Sequence, residues 1–155
     1  MKEYIIEEKL KINESKILKC HSAVCILPII ENGDILMISK MINKLEGWDL
    51  ELPKGDVQYK EIPKEAAIRV LLTETGMFTN KIEPIGIYNP KGSSIDIIYL
   101  FVATELMDIK TNFTFTTDTH IVTLSPERLS ELIRDGVFTQ ESGIKAFTKF
   151  YFSVL

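Results

Sequence analysis

The segment Gly55–Met77 reads GDVQYKEIPKEAAIRVLLTETGM and has the pattern of a loop that leads into an amphipathic helix. Its apolar residues at positions 66, 67, 70 and 71 recur at the spacing of one helix face. Pro63 suits the first turn of a helix, and Gly76 suits the position just after its last turn. The sequence therefore predicts a helix that begins at Pro63 and ends at Gly76.

The residues before this segment predict β-strands. KILKCHSAVCILPII (16–30) and ILMISK (35–40) are apolar runs rich in strand-forming residues, and Asn32-Gly33 lies between them. Both residues tolerate the positive φ of a tight hairpin turn, so the two runs are predicted to be antiparallel neighbours. GWDLELP (47–53) alternates apolar and polar residues, which predicts a half-buried strand that ends at Pro53, followed by a turn at Lys54-Gly55.

The residues after the helix predict more strands and then two helices. IEPIGIYN and SIDIIYLFVATEL are expected to be strands around the Asn89–Gly92 turn, and FTFTTDTHIVTL is a further β-rich run. Ser125 should cap a helix that ends at Gly136, and a second helix should start near Thr139. We therefore predict an α+β protein with one domain over residues 1–155.

Composition excludes several functional classes. The 22 acidic and 18 basic residues give a net charge of −4, which is not the electrostatic pattern of a protein that binds duplex nucleic acid. No apolar run reaches the roughly 20 residues that span a bilayer, and MKEYIIEEKLK lacks the apolar core of a signal peptide. We expect a cytoplasmic protein without membrane contact. Cys20 and Cys25 are five positions apart in an apolar run, which favours two core residues over a disulfide.

Gly55–Met77 resembles the signature of the Nudix hydrolase family: Gly, five residues, Glu, seven residues, then Arg-Glu-apolar-x-Glu-Glu-x-Gly-apolar. The matching positions are Gly55, Glu61, Arg69, Leu71, Glu74, Gly76 and Met77. Val70 and Thr73 stand where the pattern has glutamate. The resemblance implies the Nudix fold, in which a mixed β-sheet is sandwiched between helices.

The resemblance also implies roles for individual residues. Glu74 and the backbone carbonyl of Lys54 would be ligands of Mg²⁺ or Mn²⁺, and Glu61 with Arg69 would complete the catalytic set by holding the loop against the helix. The predicted substrate-binding residues are Glu51, Lys54, Gly55 and Asp96.

The two departures bear on catalysis. Positions 70, 73 and 74 share one helix face, where several carboxylates are needed to collect the cations that neutralise a pyrophosphate and activate water. Glu74 alone remains there, so low activity is expected. Glu51 is the first candidate for a substitute ligand, and further candidates are Asp49, Asp56, Glu65 and Asp96.

The similarity covers nearly the whole chain and is greatest to the ADP-ribose pyrophosphatase and ADP-compounds hydrolase branch, in which Gly92 and Asp96 match. That branch has a late glutamate for which this chain offers only Asp118, and His120 is equally a general base or a packing residue. The expected function is hydrolysis of a nucleoside-diphosphate derivative such as ADP-ribose. A non-catalytic nucleotide- or protein-binding module and a dinucleoside-polyphosphate hydrolase are the alternatives, and the branch makes a homodimer plausible.

Overall fold

The computed structural model describes residues 21–109 and 118–152, and both ranges consist mainly of strands and helices. The strands are β1 (Ser22–Pro28), β2 (Ile35–Asn43), β3 (Gly47–Glu51), β4 (Lys54–Asp56), β5 (Met77–Phe78), β6 (Lys81–Tyr88), β7 (Ile97–Thr104), β8 (Met107–Asp108) and β9 (Thr119–Leu124). The helices are α1 (Pro63–Thr75), α2 (Pro126–Arg134) and α3 (Glu141–Phe152).

The strands form a mixed sheet and two smaller antiparallel sheets. The mixed sheet has the order β4-β1-β7-β6, with β1 parallel to β7 and the other pairs antiparallel. A second sheet has the order β3-β2-β9, and β5 pairs with β8. Successive side chains of β1 point to opposite faces of the sheet. Val24 packs in one core with α1, and Cys25 packs in the other core with Ala146 and Phe147 of α3.

This arrangement confirms the predicted fold class, which is α+β with a mixed sheet between helices. Several local predictions are also confirmed. Helix α1 begins at Pro63, and Gly76 closes it in the left-handed conformation with φ of 74°. The side chain of Ser125 caps α2 by accepting a hydrogen bond from the backbone nitrogen of Arg128 at 3.1 Å.

The predicted hairpin between β1 and β2 is wrong. Both edges of β1 are occupied by β4 and β7, so β2 joins a different sheet and meets the end of β1 only through an isolated bridge between Ile29 and Ile35. Gly33 has a φ of 91°, but Asn32 is not among the residues with positive φ, so the turn is not the two-residue hairpin turn expected. The loop instead carries the chain from one sheet to the other.

The predicted turn at Lys54-Gly55 is also wrong, because both residues belong to β4. The strand β3 ends at Glu51, and after Leu52 and Pro53 the chain pairs again, with Gly55 opposite Val24 of β1. The strand predicted to end at Pro53 thus ends two residues earlier, and the residues after Pro53 are held by hydrogen bonds to β1.

The fully buried Cys25 agrees with its predicted place in the core. Burial raises the pKa of its thiol to about 12. Residues 1–20, which include Cys20, and residues 110–117, which include the segment FTFTT, lie outside the described residues. Of the helices in the described ranges, none combines the length and the apolar character needed to cross a bilayer.

Candidate active site

An arginine clamp holds the loop before α1 against the helix. The Nε atom of Arg69 donates to Oε2 of Glu61 at 2.8 Å, and one terminal nitrogen donates to Oε1 of the same carboxylate at 2.9 Å. That terminal nitrogen also donates to the carbonyl of Asp56 at 2.7 Å. A bidentate contact of this kind fixes both distance and orientation. The clamp therefore ties β4, the loop and the helix together.

The electrostatics of the clamp agree with its geometry. The hydrogen bond from Arg69 is the main reason that the pKa of Glu61 is lowered, and the backbone hydrogen bond from Gln58 adds to the effect. The hydrogen bond to Glu61 is likewise the main reason that the pKa of Arg69 is raised. Both groups are therefore held in their charged forms at neutral pH.

Val70 lies in the core, against β4. Its side chain is 2% exposed, and it closes over Gly55, whose missing Cβ atom would stand 2.7 Å from Cγ2 of Val70. One turn later, Glu74 is on the same side of α1 but only partly buried. The hydroxyl of Thr73 donates back to the carbonyl of Arg69. Of these three positions, only Glu74 presents a carboxylate.

Lys40 joins Glu74 to Glu51. Its Nζ atom lies 3.4 Å from Oε2 of Glu51 and 3.6 Å from Oε2 of Glu74. The β2–β3 register pairs Ile38 with Glu51, and Lys40 lies two residues beyond Ile38 on the same strand. Because side chains alternate along a strand, Lys40 and Glu51 share one face of the second sheet. The contact with Glu74 shows that this face is turned toward the last turn of α1.

The charge of Lys40 is stabilised by its two partners. Partial burial alone would lower the pKa of the ammonium, but attraction to Glu51 and Glu74 outweighs it and the pKa is raised. Each of the three side chains is 32–41% exposed, so the group lies outside the core, in the partly exposed gap between the second sheet and the last turn of α1, here called the cleft. One ammonium between two carboxylates leaves a net charge of −1.

The backbone carbonyl of Lys54 points to the open edge of the mixed sheet. Val57 donates to the carbonyl of Ser22 and Ile26 donates to the carbonyl of Pro53, so the backbone groups of residues 53, 55 and 57 face β1. The backbone N–H and C=O groups of Lys54 and Asp56 therefore face away from β1. By the same alternation, the side chain of Lys54 lies on the face of Cys25, away from α1.

A divalent cation does not fit this arrangement as it stands. Mg²⁺ prefers an octahedron of oxygen ligands, several of them carboxylates or water. Here both carboxylates are paired with Lys40, and Val70 offers no oxygen. Within residues 21–109 and 118–152, no three His, Cys, Asp or Glu side chains are grouped so as to hold a metal ion. The expectation of Mg²⁺ or Mn²⁺ stays a prediction from the family.

Asp96 belongs to a different group of side chains. Its Oδ2 atom accepts a hydrogen bond from the backbone nitrogen of His21 at 3.0 Å, and its own backbone nitrogen donates to the carbonyl of His21 at 2.7 Å. The His21 ring in turn lies 3.0 Å from Oδ1 of Asp56. These contacts tie together the ends of β4, β1 and β7. The substrate-binding role of Asp96 remains a prediction.

His120 faces away from Lys40. The β2–β9 register pairs His120 with Ser39, so its side chain is on the opposite face of the second sheet from Lys40. Its ring packs against Trp48 with 5.0 Å between ring centroids. His120 was predicted to be either a general base or a packing residue, and this geometry favours the packing role.

Two residues of the site were not predicted from the sequence. Lys40 is one of them, and Gln140 is the other. The Gln140 side chain accepts from the backbone nitrogen of Leu52 at 2.8 Å and donates to its carbonyl at 3.1 Å, which holds the chain between Glu51 and Lys54. The alternation of ILMISK could have shown that Lys40 and Ile38 share a face. No local signal marks Gln140, because its contact spans 88 residues.

Several known proteins are similar to this chain in sequence. A family model described as the NUDIX domain matches residues 19–144. The ADP-ribose pyrophosphatase of Bacillus subtilis (strain 168) is 32% identical over 97 residues, which cover 62% of this chain and 52% of that protein. The methanol dehydrogenase activator of Bacillus methanolicus is 30% identical over 95 residues, covering 61% and 51%. The chain thus spans about half the length of these curated relatives.

Solved structures show the same fold at lower identity. An ADP compounds hydrolase crystal structure is 21% identical with a TM-score of 0.70, and the match covers 84% of this chain and 70% of that one. A NUDIX hydrolase from Nitrosomonas europaea is 15% identical with a TM-score of 0.66, covering 86% and 89%. With a family model that covers well over half of its residues, the chain belongs to the NUDIX family.

Proposed function

We propose that this protein is a pyrophosphohydrolase of nucleoside-diphosphate derivatives of the ADP-ribose type, and that its turnover is low. The observation that carries this proposal is the Glu61–Arg69 clamp, which is intact and bidentate. The same arginine also donates to the Asp56 carbonyl, so the clamp fixes β4 as well as the loop before α1. It fixes the position of α1, whose last turn carries Glu74, and Lys40 joins Glu74 to Glu51.

The proposed reaction is hydrolysis of a phosphoanhydride. Water forms a bond to one phosphorus atom, the bridging P–O bond breaks, and the leaving phosphate takes the proton, so ADP-ribose would give AMP and ribose 5-phosphate. Glu51 and Glu74 are the carboxylates of the cleft that could orient this water or accept its proton. The relative named ADP-ribose pyrophosphatase supports this substrate class.

Low turnover is proposed because the carboxylate set is small. In this family a divalent cation neutralises the diphosphate, and hydrolysis is correspondingly sensitive to the number of carboxylates that can hold it. Val70 is apolar and buried, and Glu51 and Glu74 are already paired with an ammonium. Loss of single ligands or their supporting partners commonly costs about 10- to 100-fold in metal affinity or activity.

The test is AMP release from ADP-ribose and from dinucleoside polyphosphates by the purified full chain with Mg²⁺ or Mn²⁺. We expect slow release from ADP-ribose that falls at least about tenfold in Glu74→Gln. Glu83→Gln is the control, because Glu83 is exposed on β6, at the far edge of the mixed sheet from β4. Equal loss in both variants would contradict a role for Glu74, and faster release from dinucleotides would favour the dinucleoside-polyphosphate alternative.

A second candidate function is a non-catalytic module that binds a nucleotide or a protein partner. The ion pairs of Lys40 with Glu51 and Glu74 favour it, because they leave the two carboxylates occupied. Its signature would be a rise in melting temperature with ADP-ribose and no AMP release. The Val70→Glu, Thr73→Glu variant separates the candidates further: activity there, with a silent wild type, would establish that the wild-type site is a degenerate hydrolase site.

We also propose that residues 1–155 act as one domain and form a homodimer. The resemblance to the ADP-ribose pyrophosphatase and ADP-compounds hydrolase branch motivates the dimer. Light scattering coupled to size exclusion would measure the mass, and a monomer of 17.7 kDa would contradict the dimer.

A further inference from the structure

We propose that the ammonium of Lys40 is a resident cation of this cleft, which holds Glu51 and Glu74 in place of a divalent metal ion and lowers the affinity of the site for metal. The inference deepens the proposed function, because it concerns the same carboxylates. Its test needs neither substrate nor turnover. The inference about Lys40 and the proposed hydrolase function can therefore fail independently of each other.

The position of Lys40 is fixed by its strand. β2 is the central strand of its sheet and pairs with β3 on one side and β9 on the other. Lys40 itself is paired with Asp49 and Thr119, and Ile38, two residues earlier on the same face, is 1% exposed. The Cα atom of Lys40 is thereby anchored. Its long side chain need only extend across the cleft to reach the helix.

The two carboxylates come from different elements. Glu51 ends β3, next to Lys40, whereas Glu74 belongs to the last turn of α1. Two carboxylates that approach the same cation would repel each other without it. The ammonium is a compact point charge with three donors, so it can serve both at once. Its two contacts, at 3.4 and 3.6 Å, bridge the second sheet and the helix in the way a bound cation would.

A metal ion on these carboxylates would meet the ammonium. Mg²⁺ binds carboxylate oxygen at about 2.0–2.1 Å, and the ammonium lies 3.4 Å from Oε2 of Glu51, so an ion on that oxygen would be at most about 5.5 Å from the ammonium. Even at the dielectric constant of bulk water, repulsion between a double and a single positive charge at that separation amounts to about a tenfold loss of affinity. Lys40 must swing away or tolerate this repulsion before metal binds.

The experiment is Mn²⁺ binding to the full-length protein without substrate, measured from the free Mn²⁺ signal by electron paramagnetic resonance and confirmed by calorimetry. Lys40→Met keeps an unbranched side chain that is one atom shorter and removes its charge. We expect Lys40→Met to bind Mn²⁺ at least about tenfold more tightly than wild type, and Lys40→Arg to stay near wild type. Lys40→Met combined with Glu74→Gln should lose the gain, which locates the ion.

Lys81→Met is the matched control. It removes the same charge from an exposed ion pair, in which Lys81 lies 2.6 Å from Glu105 on another part of the molecule. A gain in Lys81→Met equal to that in Lys40→Met would show that only net charge matters, and this would overturn the proposal. So would Mn²⁺ affinity within twofold of wild type in Lys40→Met. Circular dichroism establishes folding, and Lys40→Gln carries the same comparison if Lys40→Met does not fold.

Discussion

Val70 fills the space that a side chain at position 55 would need. Its Cγ2 and Cγ1 atoms lie 2.7 and 3.3 Å from the point where a Cβ atom of Gly55 would stand. Gly55 is not among the glycines with positive φ, so the reason for glycine here is space rather than backbone conformation. The contact sets how closely α1 approaches β4, and hence where Glu74 stands.

Gly55→Ala is expected to destabilise the protein by about 1–3 kcal/mol, because the added methyl group must push α1 away from β4. The measurement is the free energy of unfolding from urea titration monitored by circular dichroism. Val70→Ala, which removes the opposing methyl groups, provides the second edge of a double-mutant cycle. The double variant should be more stable than the sum of the single losses predicts. Simple additivity would contradict the clash.

Arg69→Lys is expected to lower the free energy of unfolding by about 1–2 kcal/mol, although charge is conserved. A lysine cannot donate the two parallel hydrogen bonds that Arg69 makes to Glu61, nor the third to Asp56. The control is Arg128→Lys, since Arg128 makes an exposed pair with Glu131 three residues away. That change should cost less than about 0.5 kcal/mol. Equal losses would show that the clamp is an ordinary surface pair.

Acid should weaken the clamp in a defined direction. The pKa of Glu61 is lowered in the folded protein from a reference value of 4.5, mainly by its hydrogen bond from Arg69. Its contribution to stability is therefore fully present above about pH 4.5 and is lost as pH falls through the folded pKa. We expect the difference in unfolding free energy between wild type and Glu61→Gln to be constant near neutral pH and to shrink below pH 4.5. A difference that grows with acid would contradict the assignment.

Cys25 should be unreactive while the protein is folded. Burial raises its pKa to about 12, so almost no thiolate is present at pH 8, and the side chain is 0% exposed. In a Cys20→Ser background, an aromatic disulfide reagent should modify Cys25 only at the rate at which the structure opens. Adding urea should accelerate the reaction in parallel with unfolding. Rapid modification in buffer, with the circular dichroism spectrum unchanged, would show that Cys25 is accessible in the folded state.

The local elements were predictable because their signals lie within a few residues. Helix α1 follows from apolar spacing with Pro63 at one end and Gly76 at the other, and α2 follows from its Ser125 cap. The Nudix signature placed Glu61 and Arg69 as partners eight residues apart, and the structure shows that contact. These features depend on backbone preferences and on contacts between residues close in sequence, so they do not depend on how the rest of the chain packs.

Strand pairing and the arrangement of the cleft depended on the tertiary structure. Asn32-Gly33 suggested a hairpin between β1 and β2. Both edges of β1 are instead paired with β4 and β7, because hydrogen bonds to strands distant in sequence outweigh a local turn preference. In the same way, Lys40 in ILMISK is an ordinary strand lysine until the β2–β3 register and the packing of α1 bring Glu51 and Glu74 to its ammonium. The sequence by itself determined the three helices, the longer strands and the family. Packing decided the strand pairing and the partners of Lys40, because charges interact through space and not along the chain.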